Sequence, residues 1–233
     1  MFLPEKWPAY FRKSKGCKVW DLDGKEYIDM SIMGIGTNIL GYGHPEVDEA
    51  VMKTVKDGNM STFNCPEEVY LAEKLVEIHP WADMVRFARA GGEINSIAVR
   101  IARASTGRDK IAICGYHGWQ DWYIGSTTRD LGVPKSVKKL THKFEYNNIE
   151  SLEKIFQENK MACVIMEPMN VEYPQDNFLE KVKECYLRGN LITTTDESAY
   201  GEADVIVVDI PLDVSYTSDP PYFDLTEFSN AFR

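Results

Sequence analysis

The sequence has 233 residues, 44% of them hydrophobic, and this length can bury a substantial core in one large domain or parts of two. The formal net charge is −10, the pI is about 5.0, and no basic stripe carries interleaved aromatic residues. These features exclude nucleic acid and anionic membrane surfaces as expected partners.

The cysteines and the apolar runs indicate the compartment. Five cysteines are scattered singly with no CxxC pair, which is typical of reduced thiols rather than of disulfides or a metal site. The segment MFLPEKWPAYF lacks the charged and apolar regions of a signal peptide, and no run of residues approaches a membrane span. We therefore expect a soluble, cytoplasmic protein.

Turn and periodicity signals predict a hairpin followed by helices. In KVWDLDGKEYIDMS, alternating apolar residues flank Asp23 and Gly24, and an Asp-Gly pair is typical of a tight β-hairpin turn. The segment GYGHPEVDEAVMKTVKDG predicts a helix with Pro45 in its first turn and Gly58 as its stop. The segment PEEVYLAEKLVEIHP repeats that pattern.

Strands and helices then alternate along the chain. The short apolar runs MVRFA, KIAIC, ACVIM and NLITT predict strands, and helices are predicted to begin near Glu93, Glu150 and Asn177. This order predicts an α/β fold with a mostly parallel sheet and helices on both faces, preceded by the N-terminal β-hairpin.

Two glycines stand directly before the helix predicted from Glu93. Gly91 and Gly92, in RAGGEINSIAVRIARAS, follow the predicted strand MVRFA, so their amides and the positive end of the helix dipole favour an anion such as phosphate. The alternative is a tight turn with no ligand. The helix is expected to pack an apolar face on the sheet, formed by Ile94, Ile97, Ala98 and Ile101.

Aromatic and acidic side chains follow three of the predicted strands. After KIAIC, Tyr116 either stacks on a flat ring or forms an aromatic cluster with Trp119 and Trp122 over a sheet edge. After ACVIM, Glu167 is either a ligand group or a solvated loop charge. After NLITT, Asp196 is either a ligand group or a cap or turn former. A ligand whose phosphate binds the glycine amides, whose flat heterocycle stacks on Tyr116 and whose ring nitrogen faces a protein carboxylate fits the description of pyridoxal phosphate.

The same stretches resemble one enzyme family. VWDLDGKEYIDM, GIGTNILGYGHPEVDEAV, RAGGEINSIAVRIARAS, GYHGWQDWY and VIMEP are similar to segments of the class III aminotransferases of the type I pyridoxal-phosphate fold, above all their glutamate-1-semialdehyde aminomutase branch. The resemblance implies a phosphate site at Gly91 and Gly92, ring stacking by Tyr116, and His117 and Glu167 nearby.

The resemblance has further implications for ligands and partners. It implies pyridoxal 5'-phosphate as cofactor and a small amino or keto substrate, such as a semialdehyde. Ser31 would lie near the substrate entrance, and Asp196 would hold the pyridine nitrogen. The family forms dimers whose active sites lie at the subunit boundary, which implies a homodimer or pairing with a full-length homologue.

One departure from the family concerns lysine. The Schiff-base lysine of the family lies well downstream of its Asp-Glu pair, whereas the last lysine of this sequence is Lys183. Without that base the amino-group transfer stalls, so we expect an incomplete site with no catalytic residue of this kind. The residues before Asp196 also depart, because 193–195 are threonines where the family pattern calls for an apolar strand.

The C-terminal segment has a second resemblance. RGNLITTTDESAYGEADVIVVDIPLDV is similar to an internal segment of nucleotide-sugar dehydrogenases, which favours a join of two coding segments near Arg188 over a drifted aminotransferase end. In that interpretation Asp196 matches the family by accident. The glycines of MGIGTNILGYG lack GxGxxG spacing, so no NAD site is expected.

Three regions and three functional hypotheses follow. The regions are an N-terminal hairpin and helix segment (1–60), a partial coenzyme-binding large domain (61–188) and an atypical tail (189–233). The chain is either a truncated aminotransferase or aminomutase that binds pyridoxal phosphate, an inactive pseudo-enzyme that pairs with a full-length aminotransferase, or a non-functional fragment.

Overall fold

The computed structural model describes residues 8–31, 33–34, 36–59, 61–80, 82–169 and 172–191. These residues belong to two units, the first ending at Lys74 and the second beginning at Leu75. None of the helices in the described ranges is both long and apolar enough to cross a membrane.

Three short antiparallel strands open the first unit: β1 (Phe11–Lys15), β2 (Lys18–Asp21) and β3 (Glu26–Ile28), in that spatial order. The predicted hairpin is confirmed, because β2 and β3 pair on either side of the Asp-Gly turn, where Gly24 has φ 84°. The sequence does not predict β1, because FRKSK shows no clear apolar alternation and pairs through its backbone with β2.

The hairpin turn is held by a carboxylate. Asp21 is the single buried residue among the described residues up to 74, and it accepts hydrogen bonds from Asp23 N (3.0 Å), Lys25 N (2.9 Å) and Tyr27 Oη (2.9 Å). Partial burial raises the pKa of Asp21, but the hydrogen bonds from Tyr27 and the two amides outweigh it and leave this pKa below its ordinary value. The turn therefore depends on an ionised side chain rather than on apolar packing.

The two predicted helices are confirmed as α1 (Pro45–Asp57) and α2 (Pro66–Ile78), the latter crossing the boundary between the units. Gly58, with φ 100°, ends α1. Neither helix contains a buried residue. Both expose about half or more of several large apolar side chains: Val47, Val51, Met52, Val55, Val69, Tyr70, Leu71 and Ile78.

A three-stranded parallel sheet forms the centre of the second unit. Its strands are β4 (Lys110–Cys114), β5 (Thr141–Lys143) and β6 (Met161–Met166), in the order β5-β4-β6. The strands predicted at KIAIC and ACVIM are confirmed.

Two other strand predictions have different outcomes. The strand predicted at MVRFA is wrong, because residues 84–88 form none and Met84 is 89% exposed, so this apolar run does not enter the sheet. In NLITT, Asn190 and Leu191 end a helix, and the remaining residues lie outside the described ranges.

Among the described residues after α2, the second unit has five helices: α3 (Gly91–Thr106), α4 (Asp121–Ile124), α5 (Lys135–Lys138), α6 (Ile149–Glu158) and α7 (Phe178–Leu191). The predicted starts near Glu150 and Asn177 are confirmed to within one residue. Asn148 caps α6, because its side chain accepts a hydrogen bond from Ser151 N at 3.2 Å.

The core lies on both faces of the sheet, as predicted. On one face Ile111 and Ile113 of β4 pack with α3 and α4. On the other face Ala112 and Cys114 pack with α6 and α7. Alternating side chains of one strand thus serve two separate clusters, which is how a parallel strand becomes buried on both sides.

The buried face of α3 differs from the predicted one. Its buried residues are Asn95, Ala98, Val99 and Ala102, whereas Ile101 is 44% exposed. Only Ala98 of the predicted set is fully buried. Small side chains bring the helix close to the sheet, and the larger isoleucines lie at the margin of this contact.

Candidate functional site

The candidate site lies in the second unit, where β4 and β6 end and α3 begins. It consists of the first turn of α3, the loop 115–120 after β4, and Glu167 after β6. The structure therefore brings together five of the predicted residues: Gly91, Gly92, Tyr116, His117 and Glu167.

The first turn of α3 presents amide groups that have no acceptor within the helix. The helix begins at Gly91, two residues before the predicted start, so both glycines are inside the helix rather than before it. Glu93 N and Ile94 N donate to Ala90 O at 3.0 and 3.1 Å. The amides of Gly91 and Gly92 have no acceptor within the helix because they belong to its first turn. These two donors, at the positive end of the helix dipole, suit an anion.

A carboxylate completes the start of the helix. Glu93 Oε2 accepts a hydrogen bond from Arg89 N at 3.0 Å, which directs this acidic side chain back along the chain. The arrangement is similar to a capping box, in which an acidic residue of the first turn satisfies an amide before the helix. Arg89 and Glu93 also line an open cleft of about 560 Å³, together with Phe87, Ser96 and Gln120.

The loop after β4 approaches α3 through Gly118 and approaches Glu167 through Gly115. Gly118 has φ 112°, and a Cβ built on it would lie 2.9 Å from Gly92 Cα. Gly115 has φ 94°, and a Cβ there would overlap the Glu167 carboxylate. Because neither position has room for a side chain, the loop approaches both α3 and Glu167 closely.

Tyr116 presents its ring to solvent at this edge. The side chain is 64% exposed, and its ring makes an edge-on contact with Tyr123 at 5.6 Å between centroids and 85° between planes. The alternative cluster with two tryptophans is wrong, because Trp119 is 75% exposed while Trp122 is buried in the core. A largely exposed ring beside the helix start is accessible to a flat ligand.

His117 is buried below this ring. It is 1% exposed, its Nε2 lies 2.8 Å from Cys114 O, and its backbone carbonyl accepts from Asn95 Nδ2 at 3.3 Å. A carbonyl only accepts, so Nε2 carries the proton and donates. The His117 imidazole thus fixes the loop against the end of β4. A contact between His117 and a cofactor stays a prediction.

Glu167 contacts the loop rather than standing as a solvated charge. Its Oε2 accepts from Tyr116 N at 3.3 Å, and its own amide donates to Cys114 O at 3.3 Å. Burial, with a smaller contribution from the Glu167 charge, raises the pKa of Cys114 to about 11. Glu167 therefore positions the amide of Tyr116, and the neighbouring thiol stays protonated at neutral pH.

Sequence reasoning missed three residues of this site. Gln120 places its side-chain amide against Gly92, and Tyr123 Oη donates to Gly115 O at 3.1 Å. Asn95 is 1% exposed, and its Oδ1 meets no donor among the described residues. A signal for Asn95 was present, since an amide at helical spacing beside Ala98 and Val99 interrupts an otherwise apolar face.

The roles of two further predicted site residues stay predictions. Ser31 belongs to the first unit, where its Oγ donates to Asp29 Oδ1 at 2.5 Å. Tyr42 Oη donates to the other oxygen of Asp29 at 2.6 Å, which raises the pKa of Tyr42 to about 12. Asp196 lies outside the described residues.

Comparison with known proteins identifies the family. A sequence model described as Aminotransferase class-III matches residues 4–203. The chain belongs to the class III aminotransferases. The 3-aminobutyryl-CoA aminotransferase of Cloacimonas acidaminovorans is 34% identical over 210 residues, covering 86% of this chain and 50% of that protein. The glutamate-1-semialdehyde 2,1-aminomutase of Francisella philomiragia is 37% identical over 215 residues, covering 84% and 49%.

Solved structures agree with this family. A transaminase with PLP bound is 31% identical, with a TM-score of 0.72 over 79% of this chain and 47% of that one. The predicted type I fold is therefore confirmed, and pyridoxal 5'-phosphate is the cofactor of this class III family. The chain spans about half the length of the curated relatives it matches.

The described residues fit this coenzyme. Nothing lies within 4 Å of a Cβ built on Gly91, so space is open at the start of α3 where two amides are unused. The largely exposed Tyr116 ring lies on the loop that touches Gly92 through Gly118. Phosphate donors and a stacking surface thus occur at one edge of the sheet, as this coenzyme requires.

Proposed function

We propose that this chain holds pyridoxal phosphate for an aminotransferase or aminomutase reaction on a small amino or keto substrate, such as a semialdehyde. The observation that carries the proposal is the close approach of Gly118 to Gly92, since it places the Tyr116 loop against the amides of the first turn of α3. Family membership and the homology to an aminomutase support it.

Each group of the site has a separate task in this proposal. The amides of Gly91 and Gly92 bind the phosphate, and Tyr116 covers one face of the pyridine ring. Glu167 holds the Tyr116 amide and His117 holds the loop, so both position the stacking ring. When bound, the coenzyme supplies an electron sink for negative charge on the substrate carbon.

Asp196 is proposed as the partner of the pyridine nitrogen. A carboxylate beside that nitrogen raises its pKa by opposite charge and keeps it protonated. The family match extends through residue 203 and includes Asp196, which supports this role over a chance match.

Retention of the coenzyme is the activity proposed for these 233 residues. They contain no lysine after Lys183, so the Schiff-base lysine implied by the family resemblance has no counterpart among them. The alternative function is that of a catalytically inactive partner of a full-length class III aminotransferase.

The surface of α1 supports a protein partner. Val47, Val51 and Val55 recur on this helix and are 48%, 56% and 55% exposed. A stripe of this kind is typical of a helix that packs against another surface. We assign it to a second class III subunit, either another copy or a full-length homologue. Light scattering tests this: Val51→Glu should dissociate the assembly, whereas Lys53→Glu on the same helix should not.

The free cysteines support a proposal for where the protein is located in the cell. Cys17 and Cys65 are exposed free cysteines, and Cys114 and Cys163 are buried free cysteines, as expected for a reducing compartment. We assign the protein to the cytoplasm.

Absorbance titration with pyridoxal phosphate tests the coenzyme site. The wild-type chain should bind saturably, and Tyr116→Ala should weaken binding about 3- to 10-fold through loss of ring stacking. Tyr116→Phe keeps the ring and should bind like the wild type. Absence of saturable binding would contradict the proposal.

Borohydride reduction followed by peptide mapping should label no single lysine, and one specific labelled lysine would contradict noncovalent retention.

A further inference from the structure

We propose that the Gln120 carboxamide is an additional phosphate-binding group of this site, acting beside the amides of Gly91 and Gly92. The inference rests on the proposed coenzyme function and extends it to a residue that neither the sequence pattern nor the family resemblance indicates. It follows from where the Gln120 side chain lies and from which of its atoms is already used.

Gln120 directs its side chain toward α3 instead of toward its own helix. It is the residue before α4, and its side chain makes no capping hydrogen bond to that helix. A Cβ built on Gly92 would lie 2.7 Å from Gln120 Cδ, and one built on Gly118 would lie 2.7 Å from Gln120 Oε1. The carboxamide therefore occupies the space left by two absent side chains.

One end of this carboxamide is already bonded. Trp119 N donates to Gln120 Oε1 at 3.2 Å. Because a backbone N–H can only donate, the atom that faces it is the oxygen, and the amide nitrogen is the other terminus. Nε2 offers two N–H donors, and it meets no acceptor in the part of the chain that the structure describes.

These donors adjoin the other unused donors of the site. Both termini of the carboxamide lie against Gly92, Oε1 nearer than Nε2. The amide of Gly92 has no acceptor within α3, and Gln120 lines the open cleft with Arg89 and Ser96. Ser96 Oγ is engaged, since it donates to Gly92 O at 2.8 Å and accepts from Trp122 Nε1 at 2.9 Å. Gln120 is thus a neutral side-chain donor at the helix start, where a phosphate oxygen would find backbone amides as well.

A purely structural role is the competing interpretation. The carboxamide also fills the space between Gly92 and Gly118, so its removal can loosen the loop without any contact to phosphate. The two roles differ in one measurable respect. Loss of a phosphate contact affects only ligands that carry phosphate, whereas a loosened loop affects every ligand that stacks on Tyr116.

The experiment compares pyridoxal phosphate with pyridoxal, which lacks the phosphate, by spectroscopic titration of the full chain. Gln120→Met keeps the length of the side chain but removes both donors, and Gln120→Glu replaces them with a negative charge. We expect Gln120→Met to weaken pyridoxal phosphate about 10-fold, as for a hydrogen bond to a charged group, and to leave pyridoxal unchanged. Gln120→Glu should weaken the phosphate ligand further.

Gln157 supplies the matched control. It is exposed near the end of α6, which leads to the start of β6 and therefore lies at the opposite edge of the sheet. Gln157→Met and Gln157→Glu should leave both affinities unchanged. Circular dichroism of each variant confirms that the fold is retained.

Two outcomes would overturn the inference. If Gln120→Met weakens both ligands equally, the carboxamide is a space-filling group, and if it weakens neither, the carboxamide has no role in binding. If the wild-type chain itself binds both ligands equally, the phosphate site of the proposed function fails, and the role of Gln120 fails with it. A phosphate preference that is present in the wild type and unchanged in Gln120→Met overturns the Gln120 role alone.

Discussion

The two units are stabilised by different interactions. From Leu75 onward, β4 is buried on both faces, and Ile111, Ile113 and Leu152 have no exposed surface. Among the described residues up to Lys74, Asp21 is the single buried one, and hydrogen bonds to its carboxylate hold the hairpin. The comparison indicates that apolar packing within the second unit is sufficient to hold its site. The described part of the first unit is held by backbone and polar hydrogen bonds, and the apolar side chains of α1 are exposed.

The largest expected effect is on the buried sheet. Ile113→Ala removes a fully buried side chain from the cluster between β4 and α3, and we expect it to lower the free energy of unfolding by about 2–5 kcal/mol. Ile101→Ala on α3, at a 44% exposed position, is the matched control and should cost about 0.5 kcal/mol or less. Urea denaturation measures both. Equal losses would show that the second unit has no specific core.

Two glycines with positive φ, one in each unit, extend the comparison of the units to backbone strain. Gly118→Ala introduces a Cβ at φ 112° and against Gly92, and we expect a loss of about 3 kcal/mol from strain and overpacking together. Gly24→Ala in the hairpin has φ 84° but nothing within 4 Å of the new Cβ, so strain alone should cost about 1–2 kcal/mol. A larger loss at Gly24, measured by the same urea titration, would reverse the comparison.

Alkaline pH should destabilise the second unit. Burial raises the pKa of Cys114 to about 11 and that of Cys163 to about 12. An unfolded thiol ionises near pH 9, so above this pH the unfolded chain releases protons that the folded chain retains. The free energy of unfolding should therefore fall as pH rises from about 9 toward 11. Cys163→Ala should make this fall shallower, and an unchanged slope would contradict the assignment.

Acidic pH should act first on the hairpin, with a smaller effect. The pKa of Asp21 is lowered, as is that of Asp29, which accepts hydrogen bonds from Ser31 and Tyr42. A lowered carboxylate pKa stabilises the folded state above the unfolded pKa, and this contribution is lost as pH falls below about 4. Hydrogen exchange should show β2 and β3 amides losing protection before those of β4. Simultaneous loss would contradict the comparison.

Local signals explain the successful predictions. The Asp-Gly turn and the helix at Pro45 depend on a few adjacent residues, which the sequence shows directly. The closeness of Glu167 to the loop after β4 was predictable because the parallel strands β4 and β6 end at the same edge of the sheet. The approach of Gly92 to this loop does not follow from that rule, because residues 84–88 form no strand before α3. The sequence did not predict which of several apolar residues of α3 would be buried, because that choice depends on how closely the helix packs on Ile111 and Ile113.

The misses have a non-local origin. MVRFA has the composition of a strand, but a strand forms only where another strand pairs with it. Gln120 was missed because its position depends on absent side chains at Gly92 and Gly118, and no pattern around residue 120 reveals this. The role of Ser31 is not among these misses: it was assigned by family resemblance alone and stays a prediction, and its hydroxyl is engaged by Asp29 in the first unit.

The contact between Gly92 and Gln120 constrains how this sequence can evolve. The backbone at Gly92 is ordinary right-handed helix, so an alanine or serine is sterically acceptable there except for the carboxamide that occupies its space. A larger residue at position 92 therefore requires the Gln120 side chain to rotate away or position 120 to become shorter. Variation at one of these two positions thus depends on the residue present at the other.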